Sequence, residues 1–193
     1  MVAPEQKSGS YWVSWANANA RNSRSLSKLD ATFQKKVEAF IGALTSANAN
    51  VTVRATLRHP KRAYLFHWSW KIATGRNKAA DATPFPGVHI DWVHATDAES
   101  VAGALEMTSG FGLAMPPRSN VPPAMSSRHI QGLAVDMDII WPGTIMVMKQ
   151  DGTAVPLRYI SNPNLNIPLH EVGASYGVYK LRSDAPHWSS DGR

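Results

Sequence analysis

Two histidines and two aspartates in the second half of the chain have the residue types and spacing of a catalytic metal site. His129 and Asp136 lie within the segment SRHIQGLAVD, and His187 follows Asp184 in the segment DAPHW. Two imidazoles and one carboxylate are a common ligand set for a catalytic zinc ion, whose fourth position is left to water. Asp184 then stands where a base is needed to take a proton from that water. His129, Asp136 and His187 are the predicted ligands, Zn2+ is the predicted cofactor, and Asp184 is the predicted base.

A strand is needed to carry Asp136, and the segment LAVDMDIIW has the apolar content of a buried strand. In this strand Ala134, Asp136 and Asp138 share one face. An unpaired carboxylate among buried apolar neighbours is costly, and a metal ion offsets that cost. Gly132 permits a tight turn between His129 and the strand. We expect Asp138 either to orient a ligand histidine, to cap a helix or to make a surface contact.

The other periodic segments predict an α+β fold in which N-terminal helices pack on a small antiparallel sheet that carries the zinc site. Helices are expected from residue 29 to before Val51, from Pro60 to Gly75, from Asp97 to near Gly110, and over residues 169–176. Strands are expected in VTVRATL, LAVDMDIIW and VYKL, and as a hairpin of TIMVMK and TAVPLRY. No repeat or linker is evident. Residues 1–25 are therefore predicted to be a tail and lead-in, and residues 26–193 a single domain.

The composition limits the function classes. A chain of 193 residues that is 44% hydrophobic has the composition of a globular domain. The absence of cysteine excludes disulfides, thiolate metal sites and cysteine nucleophiles. The net charge of +6 favours polyanionic partners such as nucleic acid, anionic lipid or cell-wall polymer. No nucleic-acid-binding motif accompanies this charge, so nucleic acid is not expected.

The two segments that carry the predicted ligands resemble a known family of zinc peptidases. SRHIQGLAVD fits the pattern S-x-H-x-x-G-x-A-x-D, and DAPH fits D-x-P-H, both typical of M15-type peptidases. These are the D-Ala-D-Ala carboxypeptidases and the L-alanyl-D-glutamate endopeptidases of phage endolysins, and they share a fold with lysostaphin-type peptidases and the hedgehog signalling domain. The resemblance implies zinc held by His129, Asp136 and His187, with Asp184 as general base.

The resemblance also implies roles for residues outside the ligand set. An arginine after the upstream strand binds substrate and stabilises the oxyanion in the family, which points to Arg58. Ser127 is expected beside the substrate or as a support of the site. The carboxypeptidases usually end in Glu-x-x-His with a tryptophan before the histidine, whereas this chain has Asp184 and Pro186, and its Trp188 comes after the histidine. Endopeptidase action is therefore favoured over D,D-carboxypeptidase action, and Trp188 is expected to line the cleft.

The resemblance makes peptidoglycan the expected partner, and a monomer is expected. The longest apolar runs are too short for a membrane span, and the first ten residues lack a hydrophobic signal core. We therefore expect synthesis in the cytoplasm without a signal peptide. Action in the periplasm or cell wall would follow release as a phage lysin or as an exported effector.

Three other interpretations remain open at this point. Gly173-Ala-Ser-Tyr-Gly177 matches G-x-S-x-G and is followed by an aspartate and a histidine, but the match follows a helix and not a strand. A zinc-containing module that binds cell wall without turnover is a second possibility. A structural protein that holds anionic polymer through its basic face is a third. The HExxH zinc motif is absent, because Ala174 stands where the second histidine is needed after His170-Glu171.

Overall fold

A computed structural model of the chain describes residues 6–193 and is an α+β structure. The helices are α1 (Ser10–Asn19), α2 (Ala31–Ser46), α3 (Pro60–Ala73), α4 (Asp97–Phe111) and α5 (Ile167–Ser175). The strands are β1 (Gln6–Lys7), β2 (Asn50–Ala55), β3 (Ile90–Asp91), β4 (Ala134–Ile140), β5 (Thr144–Met148), β6 (Ala154–Arg158), β7 (Tyr179–Lys180) and β8 (His187–Ser189). Within residues 6–193, none of the helices has the length and apolar character needed to cross a bilayer.

The chain forms two compact units, each with its own hydrophobic core. The first unit comprises the segment up to Arg21 together with His59–Ser126, and the second comprises Asn22–Arg58 and Ser127–Arg193. This division differs from the single domain that the sequence predicted for residues 26–193. Two boundaries between the units fall inside the predicted domain, because the segment between Arg58 and Ser127 packs its apolar side chains in the core of the first unit.

The first unit is built from α1, α3, α4 and the short parallel pair β1–β3. Its core includes Trp12 and Ala16 of α1, so residues 10–19 form a packed helix within what the sequence predicted to be a lead-in. Residues 1–5 of the predicted tail lie outside the described residues. The third predicted helix is confirmed. The sequence predicted that Asp97 caps it, but the N-cap is Thr96, which accepts a hydrogen bond from the Glu99 N–H.

The second unit contains a four-stranded antiparallel sheet in the order β2-β4-β8-β7 and the separate hairpin β5–β6. Helix α2 begins at the N-cap Asp30, whose carboxylate accepts hydrogen bonds from two backbone N–H groups. The helix buries an apolar stripe in the core beneath the sheet, formed by Phe33, Val37, Phe40 and Leu44. Helix α5 and Trp188 of β8 complete this core.

The predicted elements α2, α3, α5 and β2, β4, β5, β6 and β7 are all confirmed in type and place. Helix α1 and strands β1, β3 and β8 were not predicted from the sequence. Strand β8 has three residues, which is too short for alternating hydrophobicity to reveal it.

Candidate metal centre

The sheet of the second unit brings Asp136 and His187 together. Asp136 lies in β4 and His187 begins β8, and the two residues are direct partners in the antiparallel ladder. Side chains of directly opposed residues lie on the same face, with their Cβ atoms about 5 Å apart. The Met137 N–H also donates to the Pro186 carbonyl at 2.9 Å, which continues the ladder into the loop before His187. The register of β4 and β8 therefore fixes two of the three predicted ligands.

The third ligand is positioned by a tight turn. His129 lies in a turn that ends at Gly132, whose φ of 70° is in the left-handed region that favours glycine. A Cβ at Gly132 would lie 2.9 Å from the backbone nitrogen of Asp30, so the glycine is also required by space. On the other side, the Arg58 N–H donates to the His129 carbonyl at 3.1 Å. The end of β2 and the start of α2 together hold His129 in place.

The three ligand atoms form an equilateral triangle. His129 Nε2 is 3.2 Å from Asp136 Oδ1 and 3.2 Å from His187 Nδ1, and His187 Nδ1 is 3.2 Å from Asp136 Oδ1. Both histidines are 7% exposed, and the Asp136 side chain is partly buried. Four tetrahedral ligands at about 2.0–2.1 Å from an ion are about 3.3 Å apart. The spacing therefore matches three corners of a tetrahedral site.

The other nitrogens of the two rings indicate which atoms carry protons. His129 Nδ1 is 2.6 Å from the Thr56 carbonyl oxygen, and His187 Nε2 is 3.0 Å from the backbone oxygen of Arg193. Both oxygens can only accept, so in each neutral ring these nitrogens hold the proton. The nitrogens that face Asp136 then present lone pairs. Either a proton or a metal ion can lie between these lone pairs and the carboxylate oxygen, and both reduce the repulsion among the three atoms.

The charges of the group follow from this geometry. Burial opposes ionisation of Asp136, but the hydrogen bonds and charges of the two histidines outweigh it and hold the pKa of Asp136 well below its usual range. Burial likewise opposes protonation of His129, yet its hydrogen bonds to Asp136 and to the Thr56 carbonyl raise the pKa of His129. Asp136 thus favours its anionic form, which attracts a cation to the site.

His129, Asp136 and His187 could hold a metal ion. The fit rests on the spacing of their ligand atoms and on the tautomers that the two carbonyl groups impose. Ligand histidines in metalloproteins generally donate their second N–H to a carboxylate or carbonyl oxygen, as both do here. Asp138, which the sequence left open as an orienting group, instead pairs with Arg54 on the surface.

The other predicted site residues lie on segments that adjoin the metal group. Asp184 is exposed in the turn before β8, and its carbonyl accepts a hydrogen bond from the His187 N–H at 3.1 Å. Its carboxylate makes no hydrogen bond with any residue in the range 6–193. The half-buried Arg58 lies close enough for its charge to act against protonation of His129. The Ser127 hydroxyl accepts from the Ile130 N–H, so it supports the turn that carries His129.

Trp188 does not lie where the sequence placed it. It is 1% exposed and packs in the core against Phe40, with ring centroids 5.2 Å apart. Neighbouring residues of a strand point to opposite faces, so Trp188 faces the core because His187 faces the metal group. The sequence predicted that Trp188 lines the cleft, but its side chain packs in the core.

Lys180 is a member of the site that the sequence analysis missed. Its ammonium group donates to the carbonyls of Leu181 at 2.6 Å and His187 at 3.2 Å, and also to the carbonyl of Asp184. It is 8% exposed, and burial lowers the pKa of Lys180 to about 8 despite the attraction of Asp184. One side chain thus ties together the loop that carries both the predicted base and a ligand. The available signal was a lysine within the otherwise apolar strand VYKL.

The serine-hydrolase interpretation is not compatible with the local contacts. The Ser175 hydroxyl donates to the Val172 carbonyl at 2.6 Å at the end of α5, and both ring nitrogens of His187 have other partners. His170, the first residue of the incomplete HExxH pattern, is buried in α5 and contacts the Pro163 carbonyl.

Comparison with known proteins identifies no relative: no protein family, curated protein or solved structure matches this chain.

Proposed function

We propose that this protein is a zinc-dependent peptidase that cleaves peptide bonds of bacterial peptidoglycan. The observation that carries the proposal is the triangle of His129, Asp136 and His187, whose ligand atoms are each 3.2 Å from the other two. Zinc is favoured because two imidazoles and a carboxylate leave a tetrahedral site with one open position. The resemblance of SRHIQGLAVD and DAPH to zinc peptidases supports the same assignment.

The chemistry of amide hydrolysis requires Lewis acidity, a base and a stabilised oxyanion. A zinc ion in this site would polarise the scissile carbonyl and make water more acidic. Asp184 takes the proton of the attacking water as its oxygen bonds to the carbonyl carbon. It then gives this proton to the leaving amine as the C–N bond breaks. Arg58 stabilises the negative charge that develops on the carbonyl oxygen.

Peptidoglycan is favoured as the substrate because the chain carries a net charge of +6 and the wall is anionic. Endopeptidase action is favoured over D,D-carboxypeptidase action because the segment Asp184-Ala-Pro-His187 has the form D-x-P-H and not Glu-x-x-His. The sharpest test is mass spectrometry of the fragments that the zinc-loaded protein releases from purified peptidoglycan. The new termini identify the bond that is cut.

Asp184→Ala tests the assigned base. We expect a loss of turnover of about 10²- to 10⁴-fold with the metal content unchanged, because the carboxylate is not among the ligands. Asp151→Ala is the matched control, since Asp151 is an exposed aspartate in the β5–β6 turn of the same unit.

Two results would contradict the proposal. Equal turnover by the wild type and Asp184→Ala would remove Asp184 from the mechanism. Zinc binding and adhesion to sacculi without any released fragment would replace the peptidase with a catalytically silent wall-binding module.

A further inference from the structure

A groove of about 360 Å³ lies in the second unit on the same sheet face as Asp136. Its lining comes from three places: the sheet, the segment that follows β6, and the loop that leads to His187. The lining residues used below are Arg54, Asp138, Ile140, Tyr159, Ala185 and Pro186. Because Pro186 immediately precedes a predicted ligand, the groove adjoins the candidate metal centre.

The lining of the groove includes the ion pair of Arg54 and Asp138, which can form further hydrogen bonds. Nε and Nη2 of Arg54 both contact the same oxygen of Asp138, Oδ2, at 2.6 Å. In the part of the chain that the structure describes, neither Asp138 Oδ1 nor Arg54 Nη1 has a hydrogen-bond partner. The side chains are 57% and 45% exposed, so a ligand can reach both. The pair therefore offers a ligand one acceptor oxygen and one donor nitrogen.

The net charge of this pair is zero, which determines what it can select. A side chain with only an ammonium group is attracted by Asp138 and repelled by Arg54, and the reverse holds for a side chain with only a carboxylate. A group that bears both charges on one carbon can place its ammonium on Oδ1 and its carboxylate on Nη1, so that four charges alternate. Hydrogen bonds between ionised groups are stronger than those between neutral groups.

The groove also fits the methylene groups and the distance that such a ligand needs. Ile140 is 52% exposed and Tyr159 is 38% exposed, so both offer apolar contact beside the ion pair. Asp138 lies two residues beyond Asp136 in β4, which corresponds to about 6.7 Å along the strand. An extended peptide covers this distance in about two residues.

We propose that this groove selects peptides in which a residue about two positions from the scissile bond carries a terminal ammonium and carboxylate on one carbon, as a stem peptide with a diamino-diacid residue does. This inference rests on the proposed peptidase function, because it names the substrate class of that site.

The test uses three synthetic peptides, L-Ala–γ-D-Glu–X–D-Ala, in which X is meso-diaminopimelate, its distal monoamide, or lysine. Binding to the zinc-loaded Asp184→Ala protein is measured by calorimetry, so the readout does not depend on turnover. We expect the diaminopimelate peptide to bind about tenfold more tightly than either of the others. In Arg54→Gln or Asp138→Asn this preference should fall below about twofold. Lys149→Gln, which removes an ion pair elsewhere in the unit, should leave it unchanged.

The inference and the proposed function fail in different ways. Equal affinity for the three peptides, no binding of any of them, or a preference that survives Arg54→Gln would overturn the inference, and none of these results bears on whether peptidoglycan is cleaved. Absence of released fragments would overturn the peptidase, and the binding measurement would still decide what the groove selects.

Discussion

Metal-dependent stability gives the most direct test of the site, because it requires no substrate. A metal ion that binds only the folded protein stabilises it by about 2.7 kcal/mol at a free concentration 100 times the Kd. The second unit has roughly 100 residues, for which each kcal/mol shifts Tm by about 4–8 °C. We therefore expect Zn2+ to raise the Tm of this unit by about 10–20 °C relative to protein treated with chelator.

The assay is differential scanning calorimetry of the wild type and His129→Ala, each with and without Zn2+. Each protein serves as its own reference, so any loss of stability caused by the substitution itself cancels. His129→Ala should lose the zinc-dependent shift, because it removes one of three ligands that are 3.2 Å apart. His89→Gln, which changes an exposed histidine of the other unit, should keep it. A wild type without a shift, or a His129→Ala variant with the full shift, would refute the metal assignment.

Three further predictions concern the surroundings of the site. Asp136 raises the pKa of His129 in the metal-free protein, so protons compete with the metal for this ligand. The apparent metal affinity, measured by competition titration, should therefore fall about tenfold per pH unit below that pKa. Lys180→Met removes three hydrogen bonds from an ammonium group to carbonyls that each keep one backbone N–H donor, so urea unfolding should show a loss of about 1–3 kcal/mol, and the metal affinity should fall about 10- to 100-fold. Gly132→Ala should cost more stability than Gly143→Ala in the same urea assay, because both glycines have positive φ but only the Cβ at Gly132 meets backbone atoms; equal costs would contradict the steric argument.

The sequence by itself determined most of the secondary structure of the second unit. The apolar spacing from Leu29 to Leu44 predicted α2, although the sequence placed the capping start at Ser27 followed by Asp30 and the N-cap is Asp30 itself. The conformational freedom of glycine is also a local property, so the sequence correctly predicted a tight turn at Gly132. The identity of the three residues that meet, His129, Asp136 and His187, was also available, since it depends only on residue types and on the local motif.

Only the tertiary structure decided how these residues meet and what supports them. Strand β8 is too short to be recognised by alternating hydrophobicity. The pairing of His187 with Asp136 depends on a strand register between residues 51 positions apart, and this register also turns Trp188 toward the core. The role of Lys180 depends on which carbonyls the folded loop turns toward its ammonium group. The division into two units has the same origin. Burial of apolar surface is non-directional, so a sequence pattern shows that a side chain is buried but does not show in which core.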